Sequence, residues 1–134
     1  MKNIKIVSLF LIATVLLVVG CKDNYPMDDD GLLITNRAEC YVSNFELLGA
    51  DFQTVRTKAA LIDTVAQRID VEVMFGTDLK NLFPQFSLVN DAVLDPKIVG
   101  REDFSNLTTP RTWTVVSGNR KVRKTYTVYL TVKK

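Results

Sequence analysis

Histidine is absent from all 134 residues. With it go His-dependent triads, imidazole general bases and most zinc and transition-metal sites. Cysteine is nearly as scarce: Cys21 and Cys40 are the only two, too few for a disulfide scaffold. Cys40 therefore has no imidazole to activate it as a nucleophile. No Gly-rich phosphate loop occurs. The one long, mostly apolar run, Ile6 to Val19, covers 14 residues, whereas a membrane-crossing helix needs about 20. Charge of one sign is also lacking, with 17 basic against 15 acidic residues. That small excess resides in Lys2 and Lys5, so the chain beyond them is neutral and no nucleic-acid partner is expected.

What is present begins with the start of the chain. Lys2 and Lys5 precede the apolar run, which closes on Val18-Val19-Gly20-Cys21. A basic n-region and a short h-region make a secretory signal. Ordinary signal-peptidase cleavage and lipoprotein processing compete here, and the Val-Val-Gly-Cys run, which resembles a bacterial lipobox, decides for the second. The expected organisation is a cleaved lipoprotein signal peptide over 1–20, a lipidated Cys21 with a flexible acidic tether over 21–38, and one domain over 39–134. Three acyl chains on Cys21, at about 0.8 kcal/mol per buried CH₂, anchor a protein to a membrane without any other element. Cleavage leaves 114 of the 134 residues, enough for one core without staples. Lipid on Cys21 leaves Cys40 unpaired, and its place in an apolar-alternating stretch predicts a buried thiol.

The tether, from Lys22 to Thr35, combines Pro26, Gly31 and the run Asp28-Asp29-Asp30 with little apolar periodicity. Asp28, Asp30 and Glu39 fall at positions 1, 3 and 12 of a calcium loop. Leu32 and Leu33, however, occupy positions 5 and 6, which require an oxygen ligand and a turn-forming glycine, so no metal is expected there.

From Glu39 the chain is a series of short alternating runs. Cys40, Val42, Phe45 and Leu47 share a face if the register shifts near Ser43-Asn44, as in a bulged first strand. Ala59 to Val65 makes a second run. Ile69, Val71, Val73 and Phe75 alternate with polar neighbours in the clearest strand of the chain. Gly76-Thr77-Asp78 ends it, and Leu79 and Leu82 fold back on the core. Gln85 to Val89 follows Pro84 with Phe86 and Leu88 inward. Val93 to Val99 is an edge strand because of Pro96. Thr112 to Val116 and Lys121 to Val132, joined by Ser117-Gly118-Asn119-Arg120, complete the set. The last 24 residues contain seven basic and no acidic residues, a pattern expected of an exposed sheet edge. Strands at this spacing without an amphipathic helix predict an all-β fold, an Ig-like antiparallel β-sandwich of about seven strands.

Val71-Glu72-Val73-Met74-Phe75-Gly76-Thr77-Asp78-Leu79, then Leu82, Pro84, Phe86 and Leu88, then Asp103-Phe104-Ser105-Asn106, Trp113-Thr114-Val115 and Lys124-Thr125-Tyr126-Thr127-Val128 together resemble the immunoglobulin-like (PKD-like) domains of unknown function in surface lipoproteins of Bacteroidota. The resemblance covers about Val42 to Val132 and is better in the second half. Gly49 to Ala66 and Asn119-Arg120-Lys121 depart from the family pattern. The family implies an outer-membrane surface or periplasmic module for binding or spacing, near polysaccharide uptake, and hands over no catalytic residue. The acidic residues behind Cys21 resemble the export signal of such surface lipoproteins; a solvated linker on a periplasmic lipoprotein is the other reading. Asp63-Thr64-Val65 matches the pattern at which these bacteria O-glycosylate exported proteins, which makes Thr64 a candidate attachment point.

No enzyme, cofactor or metal is expected. Asp91, Asp95, Glu102 and Asp103 supply carboxylates for glycoside hydrolysis in principle, but in β-loops such residues are far more often turn residues. Sugar binding on a sandwich needs exposed aromatic faces flanked by polar groups. Trp113 is in phase with Val115 and belongs to the core. Tyr129 and Tyr41 are out of phase with their apolar neighbours and are the candidate glycan contacts. Two functions stay open: a glycan-binding or polysaccharide-uptake accessory module, and a structural or protein-interaction module in a surface complex.

Overall fold

The computed structural model describes residues 24–134; the signal segment and Cys21 lie outside the described residues. Seven strands and no helix make up the described part: β1 (Val42–Leu48), β2 (Leu61–Asp63), β3 (Arg68–Val73), β4 (Phe83–Leu88), β5 (Val93–Asp95), β6 (Arg111–Val116) and β7 (Arg123–Val132). They form a two-stranded sheet, β1-β4, facing a five-stranded sheet ordered β2-β3-β7-β6-β5, the sandwich expected from the alternation. All pairs are antiparallel except β3 with β7, which run parallel.

Alternation decides which side chains meet between the sheets. Val42, Phe45 and Leu47 from β1 meet Ile69, Val71 and Val73 from β3, with Trp113 and Val115 from β6 and Tyr126, Val128 and Leu130 from β7. An aromatic chain crosses the interface: Phe45 meets Phe86 edge-on at 4.9 Å, and Phe86 meets Trp113 at 5.3 Å. Trp113 and Cys40 are buried as expected. The Cys40 thiol donates to the Val115 carbonyl at 3.2 Å. The first strand is bulged between Val42 and Asn44, which brings Phe45 back into phase with Val42.

Four expectations change. Phe75 is 85% exposed, because β3 ends at Val73 and the chain turns at Met74, with Gly76 at φ 81° supplying the left-handed turn. Thr77 Oγ1 then donates to the Met74 carbonyl at 2.7 Å, while Asp78 accepts from the Lys80 amide at 3.1 Å and from Asn81 Nδ2 at 2.8 Å. The Gly-Thr-Asp-Leu run is thus a self-bonded turn that aims Leu79 and Leu82 inward. The second strand is only three residues long. The strand carrying the basic C-terminal residues is central, and Arg111, Arg120 and Arg123 find acidic partners in Glu102, Asp28 and Asp95.

Fourth, the acidic stretch expected as a tether lies along the domain from Pro26 onward. Met27 and Leu33 bridge around a turn at Gly31. The Thr35 amide donates to the Gly118 carbonyl at 2.9 Å, and the Asn119 amide donates to the Arg37 carbonyl at 2.8 Å. A Cβ on Gly118 would stand 2.4 Å from Thr35 Oγ1, so the crossing requires glycine there. Asp28 faces Arg120, and Asp30 faces Lys97 at 3.1 Å, which gives two of the calcium-loop residues cationic partners.

Candidate functional site

The outward face of the larger sheet holds the first of the sequence-derived glycan contacts. Parallel pairing sets Asp70 beside Tyr129 and Arg68 beside Thr127. Arg68 lies along its strand and donates through Nε and Nη2 to the two oxygens of Asp70, both at 2.7 Å. Its guanidinium carbon sits 3.9 Å from the centre of the Tyr129 ring, within cation–π range. The side-chain bonds from Asp70 are the main reason that Arg68 is held above its ordinary pKa. Thr125 and Thr114 join their hydroxyls across β7 and β6 at 2.9 Å. Tyr129 is 36% exposed, but one ring face already carries an internal cation. A cleft of about 200 Å³ beside it is walled by Asn106, Leu107 and Thr109. It is smaller than the roughly 300–1,000 Å³ of small-molecule sites.

Tyr41 stands on the other sheet. Its carbonyl accepts from the Val89 amide at 3.1 Å, placing it just beyond the last β1–β4 pair, and it is 39% exposed. The two tyrosines therefore do not form one platform. Thr64 is exposed in the turn between β2 and β3, where Asp63 accepts from the Val65 and Ala66 amides at 2.9 and 2.8 Å. Cys21 is outside the described residues.

The four carboxylates weighed for hydrolysis are dispersed among structural roles. Asp91 pairs with Arg37 at 3.1 Å, Asp95 with Arg123 and Glu102 with Arg111. Asp103 accepts from the Ser105 amide at 2.8 Å, and the Ser105 bonds hold it below the ordinary carboxylate range. Among the described residues no group of three or more Cys, Asp or Glu side chains is placed to hold a metal ion.

The sequence reading missed two aromatics. Phe52 is 61% exposed and stacks on Phe83, with ring centres 4.8 Å apart and planes 26° from parallel. Arg101 lies 5.3 Å from the centre of the same Phe83 ring. The available signal was the phase of Phe83, opposite to that of the inward Pro84 and Phe86; nothing periodic marks Phe52. Near them, burial pushes the Glu46 carboxyl up, but the Thr54 hydroxyl, the Leu47 amide and Arg56 outweigh it and hold the group below its usual value.

A family model described as SGBP, N-terminal matches residues 50–130. Among solved structures, a candidate glycoside hydrolase from Bacteroides thetaiotaomicron shares 28% identity over 72% of this chain and 26% of its own length, with a TM-score of 0.59. A DUF4623 family protein from Bacteroides eggerthii shares 15% identity over 72% of this chain and 22% of its own, with a TM-score of 0.53. The second supports the fold alone. This chain spans about a quarter of the length of both proteins. No curated protein matches.

Proposed function

The chain belongs to the SGBP, N-terminal family, and we propose that it is a non-enzymatic glycan-binding or polysaccharide-uptake accessory module of the bacterial cell surface. The observation that carries this reading is the family match over residues 50–130, which includes five of the seven strands and most of β7. The Bacteroides thetaiotaomicron neighbour agrees with a Bacteroidota source. The lipobox at Cys21 would fix the protein to the outer membrane, and Thr64, exposed in its turn, would be open to O-glycosylation. The fold offers exposed aromatic side chains on both outer faces, among them Tyr41 and Tyr129. Dispersal of the carboxylates into ion pairs and turns supports a binding role over a hydrolytic one.

The test is retention of the full chain on a panel of insoluble and soluble polysaccharides. Binding to at least one, with no product released, is expected; no retention on any, or release of reducing ends, overturns the reading. Intact mass compared with Thr64→Ala checks the modification, and equal glycoform masses remove it. Labelling of the wild type but not Cys21→Ala by a palmitate analogue checks the anchor.

One observation favours a second reading, a spacer or protein-interaction module. Met74 and Phe75 are exposed at one end of the sandwich, and Phe75 and Val132 share a mostly apolar hollow. Such a patch suits a neighbouring protein surface.

A further inference from the structure

We propose that the outward face of the smaller sheet is where this domain holds polysaccharide, with Phe52 as the stacking platform and a neutral glycan as the ligand. This rests on the glycan-binding reading above and assigns that activity a place.

Phe52 carries the inference. Its φ is 60°, the left-handed region that bulky L side chains rarely enter. Three bonds hold it there: the Gly49 amide to the Gln53 carbonyl at 2.9 Å, the Phe52 amide to the Gly49 carbonyl at 3.0 Å, and the Gln53 amide to Asp51 Oδ1 at 3.1 Å. Gly49 fits closely there, since a Cβ would lie 3.1 Å from Val55 Cγ1 and press on that methyl. The result is not burial. One face of the ring rests on Phe83, and the side chain stays mostly in solvent. Backbone strain concentrates where a ligand is clamped, and an aromatic face presented to water suits the apolar face of a sugar ring.

Register extends the site. Phe83 pairs with Leu48, then Gln85 with Glu46 and Ser87 with Asn44. The inward partners are Pro84, Phe86 and Leu88, so Glu46, Gln85, Asn44 and Ser87 face out. Gln85, Asn44 and Ser87 are exposed, and Tyr41 stands at the far end. At about 3.3 Å per residue, the six residues of β4 span roughly 20 Å, room for several sugar rings laid along the strands. The polar middle offers amides and hydroxyls. Its one carboxylate, Glu46, is occupied by Arg56 and by the Thr54 hydroxyl at 2.7 Å. That balance favours uncharged sugars, with Arg101 as a donor at the Phe83 end. The Tyr129 face is less suitable, because a sugar stacking there competes with Arg68.

The test uses the full chain in detergent, by affinity electrophoresis and titration calorimetry. The probes are mixed-linkage β-glucan, xyloglucan, galactomannan, amylopectin and polygalacturonate. Phe52→Asn keeps a residue that tolerates the left-handed turn and removes the ring. At least one neutral probe is expected to bind, Phe52→Asn to weaken it about tenfold, Tyr41→Ala to weaken it measurably, and Phe52→Trp and Tyr129→Ala to leave it in place. Wild-type binding that survives Phe52→Asn, is abolished by Tyr129→Ala, or is confined to polygalacturonate overturns this site while leaving the glycan-binding reading standing. No binding of any probe by the wild type overturns both.

Discussion

Tyr126→Phe removes one oxygen from the centre of the sandwich, and its cost follows from the free edge of β1. Val42 and Tyr126 are 1% and 0% exposed. Tyr41 bonds to Val89 through its carbonyl, so in the next pair, Val42 with Leu88, the Val42 amide points away from β4 and donates to the Tyr126 hydroxyl at 3.4 Å. Phenylalanine leaves that amide buried without a partner, a loss of about 1–3 kcal/mol for a well-formed bond. The long distance puts the expected value near the bottom of that range, about 1 kcal/mol. A loss of 1 kcal/mol lowers Tm by roughly 4–8 °C in a domain of this size. Urea unfolding is expected to show a lower midpoint with an unchanged slope. Hydrogen exchange should show faster opening at Val42 than at Phe45. An unchanged midpoint would refute the idea that the hydroxyl satisfies the Val42 amide.

Trp113→Ala deletes the ring that receives Phe86 and packs on Phe104 at 6.0 Å; a loss of about 3–5 kcal/mol in urea unfolding is expected. Cys40 and Tyr126 are both pushed up, chiefly by burial, from 9.0 and 10.0. A raised folded-state pKa means that the unfolded chain loses its proton first, so the contribution of these two groups to stability is level below about pH 9 and falls as pH rises above it. Urea midpoints across that range should show the fall, with Cys40→Ala removing its first part. Gly118→Ala is expected to lift the segment around Thr35 from the β6–β7 turn, seen as proteolysis between Asp28 and Arg37 while the sandwich persists.

The readable parts of this fold are those whose side chains report their own surroundings. Ile69, Val71 and Val73 alternate because one side of β3 is core, and Val42, Phe45 and Leu47 reveal the bulge through a break in phase. Phe75 misled because alternation in the chain outlasts the sheet, which stops where Gly76 takes a positive φ. The position of β7 was hidden for another reason. Its pairing with β3 is set by residues more than fifty positions away, and its basic neighbours imitate an edge while answering acids on other segments. Of the candidate surface, Tyr41 was legible by phase. Phe52 was not, since its exposure depends on how a turn outside any strand is held, and Gly118 gave no hint of the segment that crosses it.

The last of the seven strands is also the middle of the larger sheet, flanked by β3 and β6. Until β7 is available, β3 has only the three-residue β2 beside it, and β6 has only the equally short β5. Two or three short strands without a shared core are marginal in water. The sheet is therefore expected to close late, around a strand that is made after all its partners. A chain built this way leaves the larger sheet open until its central strand has been made.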